Sequence, residues 1–253
     1  MRREMIDRAK FIRRDILEMS YRAQVGHIPS ALSMVDYLMV AFERFVDPRR
    51  DRLVLGKPYG AQAYYATFAQ RSWIEPHWDQ YGSCDPSWTY IMSREHPLVT
   101  FIDDTMGNAL SVACGVALSF PGLVFVNVSD AYLQAGSAWE AIMFAGFHAL
   151  DNLLLTIDNN RMQVLGRTHE ILDVEPLNER FTSFGWRVLR ADGHDFKQIE
   201  AVYNEARDEP CGPTVLIFDT EKGHGIPFMV NDPAWHYRII DAETLQRALT
   251  ELK

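Results

Sequence analysis

The sequence predicts an α/β domain: a doubly wound, mostly parallel sheet with helices on both faces, formed by residues 1–253 as one unit. Three observations predict it. Residues 124–162 read VFVNVSDAYLQAGSAWEAIMFAGFHALDNLLLTIDNNRM, two short apolar runs flanking a helical pattern, which is how a βαβ unit reads in sequence. A third apolar run, residues 214–218, leads into the polar loop Asp219-Thr220-Glu221-Lys222-Gly223-His224-Gly225. With 253 residues, 47% of them hydrophobic, the chain is long enough to bury a sizeable core around such a sheet.

In a parallel sheet the polar residues at strand ends converge at the carboxyl edge, where open α/β sheets bind ligands. Asp130 and Asn160 end the first two runs and therefore face one small volume. That arrangement suits a divalent cation holding a phosphate, since Mg²⁺ takes carboxylate and phosphate oxygens while helix N-terminal amides accept negative charge. The plainer alternative is that Asp130 caps the helix beginning near Ser137 and Asn160 makes a turn.

The remaining elements follow in order. Met5, Ala9, Ile12, Ile16, Met19 and Ala23 recur at spacings of three and four, predicting an amphipathic helix over residues 3–24. Gly26-His27-Ile28-Pro29-Ser30 breaks it, and Ser30 is a good N-cap for a second helix running to Val46. Residues 74–93, rich in Trp, Pro, Gly and Asp, read as a folded loop, and residues 105–120 as a helix. Residues 184–189 read as a strand, and Asp192-Gly193-His194-Asp195 as the cap of a helix from Phe196, with His194 structural.

Composition narrows the function. Twenty-five basic against 34 acidic residues give a net charge of −9, which argues against nucleic acid as a partner. No apolar run reaches the roughly 20 residues of a membrane span, and MRREMIDRAKFIRRD lacks the apolar core of a signal peptide. A cytoplasmic location without a membrane partner is expected. Cys84, Cys114 and Cys211 are too few and scattered for a disulfide framework or zinc site, and read as packing residues.

Ser129-Asp130-Ala131, a spacer, and Asn159-Asn160 resemble the thiamine diphosphate motif Gly-Asp-Gly, spacer, Asn-Asn. The words YLQAGSAWEA and LLLTIDNN resemble those of transketolases in particular. The resemblance implies thiamine diphosphate held through Mg²⁺, with Ca²⁺ or Mn²⁺ able to substitute. The metal ligands would be Asp130, Asn160 and the backbone carbonyl of Met162. Both family glycines have gained a small side chain, in Ser129 and Ala131, which stay among the implied cofactor contacts.

Other phrases extend the likeness, with departures. Asp51 through Gly60 resembles a family phrase ending Ser-Lys-Gly-His-Ala, so Tyr59 stands where a histidine approaches the cofactor's phosphates. A phenol donates one hydrogen bond but carries no positive charge, so its position is carried over and its role is not. Glu95-His96-Pro97 through Ala117 resembles the stretch that holds the cofactor rings, with Thr105 and Met106 as contacts. Asp103 and Asp104 replace small neutral residues there; they either recognise an amine or hydroxyl-rich group, or one of them caps the following helix. His27 corresponds to the histidine of a Gly-His-Pro-Gly break and His236 to that of a Pro-x-x-(Trp/Phe)-His phrase. Both are implied catalytic residues that contact substrate, with His224 as a third. Ala135 stands where one glutamate of an inter-site network belongs, and Glu140 matches a second.

The likeness covers the first half of a transketolase. The implied protein is the N-terminal subunit of a split enzyme. A partner chain would supply the pyrimidine-binding domain and its activating glutamate, in an α₂β₂ assembly. The implied reaction transfers a two-carbon ketol or acyl unit from a ketose or 2-oxo acid donor to a small-molecule acceptor. The departures at Pro58-Tyr59 and Asp103-Asp104 fit specialised metabolism better than ordinary pentose phosphate chemistry. Rival readings are the α-chain of a 2-oxo acid dehydrogenase, an enzyme like deoxyxylulose phosphate synthase, or a scaffold that has kept the fold without the cofactor.

Overall fold

A computed structural model describes residues 2–92, 99–208 and 211–252. The chain opens with helix α1 (Arg2–Ala23), then α2 (Ile28–Leu32), α3 (Val35–Arg44), strand β1 (Arg52–Leu55), α4 (Ala61–Gln70) and β2 (Val99–Ile102). It continues with α5 (Ala109–Ser119), β3 (Val124–Ser129), α6 (Gly136–Phe147), β4 (Leu153–Asn159), α7 (Thr168–Ile171) and α8 (Leu177–Ser183). The last elements are β5 (Arg187–Asp192), α9 (Phe196–Asp208), β6 (Thr214–Asp219) and α10 (Ala242–Glu251).

The six strands form one sheet in the order β2-β1-β3-β4-β6-β5. Every pairing between neighbours is parallel. Alternation along each strand sends side chains to two separate cores. Phe125, Leu154, Leu216 and Phe218 pack with α1, α3, α4 and α9, whereas Val126, Val128, Leu155, Ile157, Val215 and Ile217 pack with α5, α6 and α8. All residues of β3 and β4 are buried, as a sheet covered on both faces requires. Asn127 puts a polar side chain in the middle of β3. Asn127 donates to Tyr64 Oη (2.7 Å) and accepts from Tyr37 (2.9 Å) and Thr156 (2.8 Å), which satisfies its amide away from water.

Register then places the site. Ser129 lies opposite Asp158, and Asn159 opposite Asp219, so three strands deliver polar groups to the same edge. Lys57 and Lys222 follow β1 and β6 at that edge.

The structure corrects several expectations. The helix predicted from Ser30 to Val46 is two helices, broken at Ser33-Met34; His27, not Ser30, precedes the first. The break frees Ser30 O and Ser33 Oγ to meet Lys57 and Asp158. The helix expected from Thr105 starts at Ala109, because Asp103 draws the intervening loop onto its carboxylate. The strand expected at residues 184–189 begins at Arg187, since Gly185 turns the chain at φ +80°. Cys114 is buried, but Cys84 and Cys211 are exposed and do not pack in the core. No described helix is long and apolar enough to cross a membrane.

Candidate active site

Asp158, at the end of β4, is the anchor of the carboxyl edge. Its fully buried carboxylate pairs with Lys57 Nζ and accepts hydrogen bonds from Thr220 Oγ1, Ser33 Oγ (2.7 Å) and Asn160 Nδ2 (2.8 Å). Burial alone would raise its pKa; the Lys57 ammonium and these donors outweigh burial and hold it below the ordinary carboxylate range.

Asp130 is different. It is 1% exposed, and among the described residues its carboxylate accepts from Thr168 Oγ1 (2.7 Å) and its neighbour's amide, Ala131 N–H (2.9 Å). No ammonium or guanidinium pairs with it among the described residues. Burial pushes its pKa up to about 6, with the Asp158 charge adding to the rise. A desolvated carboxylate without a cation is a site short of positive charge.

The loop after β4 completes this corner. Asn160 gives its amide hydrogen to Asp158, which turns Oδ1 outward to accept from Met162 N–H (3.0 Å). Thr168 N–H bonds Arg161 O (3.0 Å) while its hydroxyl holds Asp130, so Thr168 closes the loop over that carboxylate. Asp130, Asn159, Arg161, Thr168, His169 and Glu175 line a cleft of about 310 Å³. The alternative reading of Asp130 as cap of α6 fails, because Ala135 occupies that position. Asp130 instead begins a 3₁₀ turn, residues 130–134, whose Tyr132 N–H is met by Ser129 Oγ (3.3 Å).

The two predicted histidines meet beside this corner. His27 N–H donates to His236 O (2.9 Å), and their rings stand 4.8 Å apart. Gly26 makes this approach possible: a Cβ there would lie 2.7 Å from Tyr237 O. His27 itself takes a left-handed backbone, φ +62°, a conformation few residues other than glycine adopt. Burial first, and then Lys222, hold both rings neutral, with pKa near 4 for His27 and near 3 for His236. Lys222 is 2% exposed and donates to His236 Nδ1 (2.7 Å). Burial and the Lys57 charge pull its pKa down to about 8, so it remains a cation at pH 7. An ammonium has only donors, so His236 accepts at Nδ1 and carries its hydrogen on Nε2.

The other predicted residues divide. Tyr59 stacks on His27 at 5.0 Å and approaches Asp104 O (3.5 Å). Thr105 and Met106 are exposed in the neighbouring loop, with Met106 at φ +60°. Asp103 resolves the choice left open for it. It is buried and accepts from Asn108 N–H (2.6 Å) and Ala109 N–H (2.8 Å), capping α5, whereas Asp104 is exposed. Glu140 is exposed on the outer face of α6. Glu95-His96-Pro97 lie outside the described residues.

His224 is not brought to His27 and His236. Gly223 and Gly225, both at positive φ, turn it into a second cluster, where it stacks on His194 at 3.5 Å and 8°. His194 Nδ1 bonds Asp36 (2.8 Å), its Nε2 accepts from Glu221 N–H (2.9 Å), and Arg13 pairs with Asp36 (2.6 Å). Donor atoms of Asp36, His194 and His224 lie within 4.8 Å of one another. A metal must lie in the plane of each imidazole it binds, however, and two nearly parallel planes share no such point close by.

Three groups escaped the sequence reading: Lys57, Asp158 and Lys222. Asp158 stood inside the phrase LLLTIDNN, and a buried acid at the end of an apolar run is the signal that would have found it.

The donor set is carboxylate, amide and carbonyl oxygen, the hard ligands Mg²⁺ prefers, beside two buried lysines. Asp130 has no salt-bridge partner among the described residues, and the Lys57 charge only tempers the rise that burial causes. These residues fit a metal-held diphosphate.

Comparison with known proteins gives the family. Residues 118–252 match the thiamine diphosphate binding domain of transketolase. The chain is 30% identical to 6-deoxy-6-sulfo-D-fructose transketolase subunit SqwG of Clostridium sp. (strain MSTE9), covering 97% of this chain and 94% of that one. It is also 30% identical to one of the named subunits of apulose-4-phosphate transketolase from Actinobacillus succinogenes, covering 99% and 96%. It superimposes on the transketolase of Campylobacter jejuni with a TM-score of 0.88 at 20% identity, over 98% of this chain but 43% of that chain. The chain thus spans less than half the length of that full transketolase.

Proposed function

The chain belongs to the transketolase family, and from that premise we propose that it is the diphosphate- and metal-binding subunit of a split carboligase. The reaction moves a two-carbon ketol or acyl unit from a ketose or 2-oxo acid donor to an acceptor. The observation that carries this reading is Asp130, a carboxylate 1% exposed at a strand end with no salt-bridge partner among the described residues.

Asp130, Asn160 and the Met162 carbonyl hold Mg²⁺, while Ser129, Ala131 and Tyr59 border the diphosphate. When bound, thiamine diphosphate supplies the nucleophilic carbon and the electron sink that carbon–carbon bond exchange requires. The chain's own contribution is binding and proton placement. His236 presents Nε2–H to a substrate oxygen, because Lys222 occupies Nδ1. His27, neutral at pH 7, accepts or donates a proton at the same oxygen or its neighbour. Asp158 holds Asn160 in place, and Lys57 neutralises Asp158.

A partner chain supplies the pyrimidine-binding domain and its activating glutamate, in an α₂β₂ assembly working in the cytoplasm. Relatives that match this chain along nearly their whole length are named as subunits. The outer faces of α5 and α6 support docking as well. Of their residues only Glu140 is charged, yet Leu118, Met143, Phe144 and Phe147 are exposed. Helices apolar on every side are ordinarily buried.

Calorimetry of the chain co-expressed with its partner tests the reading. Thiamine diphosphate with Mg²⁺ is expected to bind to the wild-type complex and not to Asp130→Ala. A complex that binds no cofactor, or a variant that binds it equally well, overturns the proposal.

A further inference from the structure

Between the two loop groups assigned to the metal, Asn160 and Met162, stands Arg161, whose backbone is left-handed at φ +58°. A Cβ makes that conformation costly, and arginine lacks the short polar side chain that lets asparagine or aspartate bond locally there. Such an outlier persists only where its surroundings hold it, and outliers of this kind gather at functional sites. Here two bonds hold it. Arg161 O accepts from Thr168 N–H (3.0 Å), and the guanidinium donates through Nη2 to Asp219 Oδ1 (3.0 Å).

The two bonds reach opposite sides of the metal corner. On one side, residues 162–167 double back as a small hairpin, in which Met162 bridges Arg167 in antiparallel fashion and Gln163 N–H donates to Gly166 O (2.9 Å). The hairpin returns the chain to Arg161 at Thr168, whose hydroxyl holds Asp130 (2.7 Å). On the other side, Asp219 ends β6 and is itself fixed. Arg190, from β5, donates to both of its oxygens (2.7 and 2.8 Å), and Asn159 donates to Oδ1 (2.9 Å). The fork of Arg190 already occupies both oxygens of Asp219, so what Arg161 adds is a tether from the loop to the sheet. The Arg161 side chain is 61% exposed, and an ion pair at that exposure contributes little to the stability of the whole fold. Its effect is local: it fixes the direction in which the chain leaves β4.

We propose that Arg161 is the positioning residue of the metal corner. Its tether to Asp219 holds the left-handed turn, the turn sets Asn160 against Met162, and through Thr168 the same turn sets Asp130. One side chain thereby keeps the three groups assigned to Mg²⁺ in mutual register, as partners behind metal ligands do. The proposal rests on the carboligase reading above and deepens it, since it names what orders that site before an ion enters.

The test compares Arg161→Ala and Arg161→Lys with the wild type in two measurements. Amide hydrogen exchange is followed in the cofactor-free chain, and Mg²⁺ is titrated calorimetrically into the complex with its partner at saturating thiamine diphosphate. Arg161→Ala should speed exchange at the Thr168 amide about tenfold, leave exchange in β3 and β4 unchanged, and weaken Mg²⁺ about tenfold. Arg161→Lys, which keeps a cation for Asp219, should recover most of both losses. Unchanged exchange and Mg²⁺ affinity in Arg161→Ala overturn the proposal, and so does faster exchange throughout the sheet, which would make Arg161 a general stabiliser. Weaker thiamine diphosphate binding with unchanged exchange at Thr168 overturns it too, because Arg161 would then act on the diphosphate directly. A wild-type complex that takes up no cofactor overturns the carboligase reading, and with it the metal role given to Arg161.

Discussion

Two clusters in this chain use nearly the same residue types to opposite ends. Near α1 and α10, Asp36 joins Arg13, His194 and His224; at the carboxyl edge, Asp130 and Asp158 lie with Lys57, Lys222, His27 and His236. In the first, the buried carboxylate has its guanidinium at 2.6 Å and its imidazole at 2.8 Å, and each nitrogen of His194 has a partner. In the second, one carboxylate is saturated and the other has no salt-bridge partner among the described residues, while burial and neighbouring lysines force the histidines neutral. Balanced charge holds a fold together. Unbalanced charge at the ends of parallel strands marks where something binds.

The largest expected effect breaks the balanced cluster. Asp36→Ala leaves Arg13 buried without a counter-ion, and should cost roughly 3–5 kcal/mol in urea unfolding of the chain. Asp130→Asn should do the reverse: no loss of stability in the cofactor-free chain, because it removes a charge that burial disfavours, with at least a hundredfold loss of Mg²⁺-dependent cofactor binding by calorimetry. A stability loss comparable to that of Asp36→Ala would put Asp130 in the structural class.

Acid titration separates the clusters by pH window. His27 and His236 have folded pKa values below the ordinary 6.5, so the unfolded chain binds protons first, and their contribution to stability falls as pH drops from about 6.5 toward 4. His224, also depressed, adds to that slope. Asp36 is held below the ordinary carboxylate range because Arg13 and His194 outweigh its burial. Its contribution is intact above about pH 4 and is lost only below that. Asp130 and Asp15, both raised to about 6, offset part of the upper decline, because the folded chain takes up their protons first between about pH 6 and 4. Unfolding free energy measured against pH should therefore show a partly offset upper decline and a separate lower one. The double variant His27→Asn, His236→Asn should flatten the upper decline and leave the lower one.

The smallest effect probes the link between the two kinds of charge at the site. Ser33→Ala removes one donor to Asp158 while Lys57 remains, and should cost about 1 kcal/mol in the same unfolding assay.

The βαβ unit, with Asp130 and Asn160 just past its two strand ends, was legible because apolar runs and their polar ends are local signals. Lys57 was not, since a lysine reads as surface until its partner is known, and Asp158 lies 101 residues away. The rings around His27 had the same difficulty, since Tyr59, Tyr90 and Tyr237 reach it from distant positions. Ser30 misled because its type suits a cap, while tertiary contacts set the break at Ser33. His224 misled by proximity: two residues after Lys222, it is turned away by glycines whose positive φ the sequence permits but does not require. Asp103 and Asp104 were equivalent in sequence, and burial separated them.

The contact between Gly26 and Tyr237 also bears on the order of assembly. It fastens a turn near one end of the chain to a loop near the other, so it forms only when more than two hundred intervening residues have been drawn together. Closures of that length come late in folding and loosen early under stress. His27 and His236 thus face each other only in the finished domain. Hydrogen exchange at the His27 amide, bonded across that junction, should report loss of the site before the sheet itself opens.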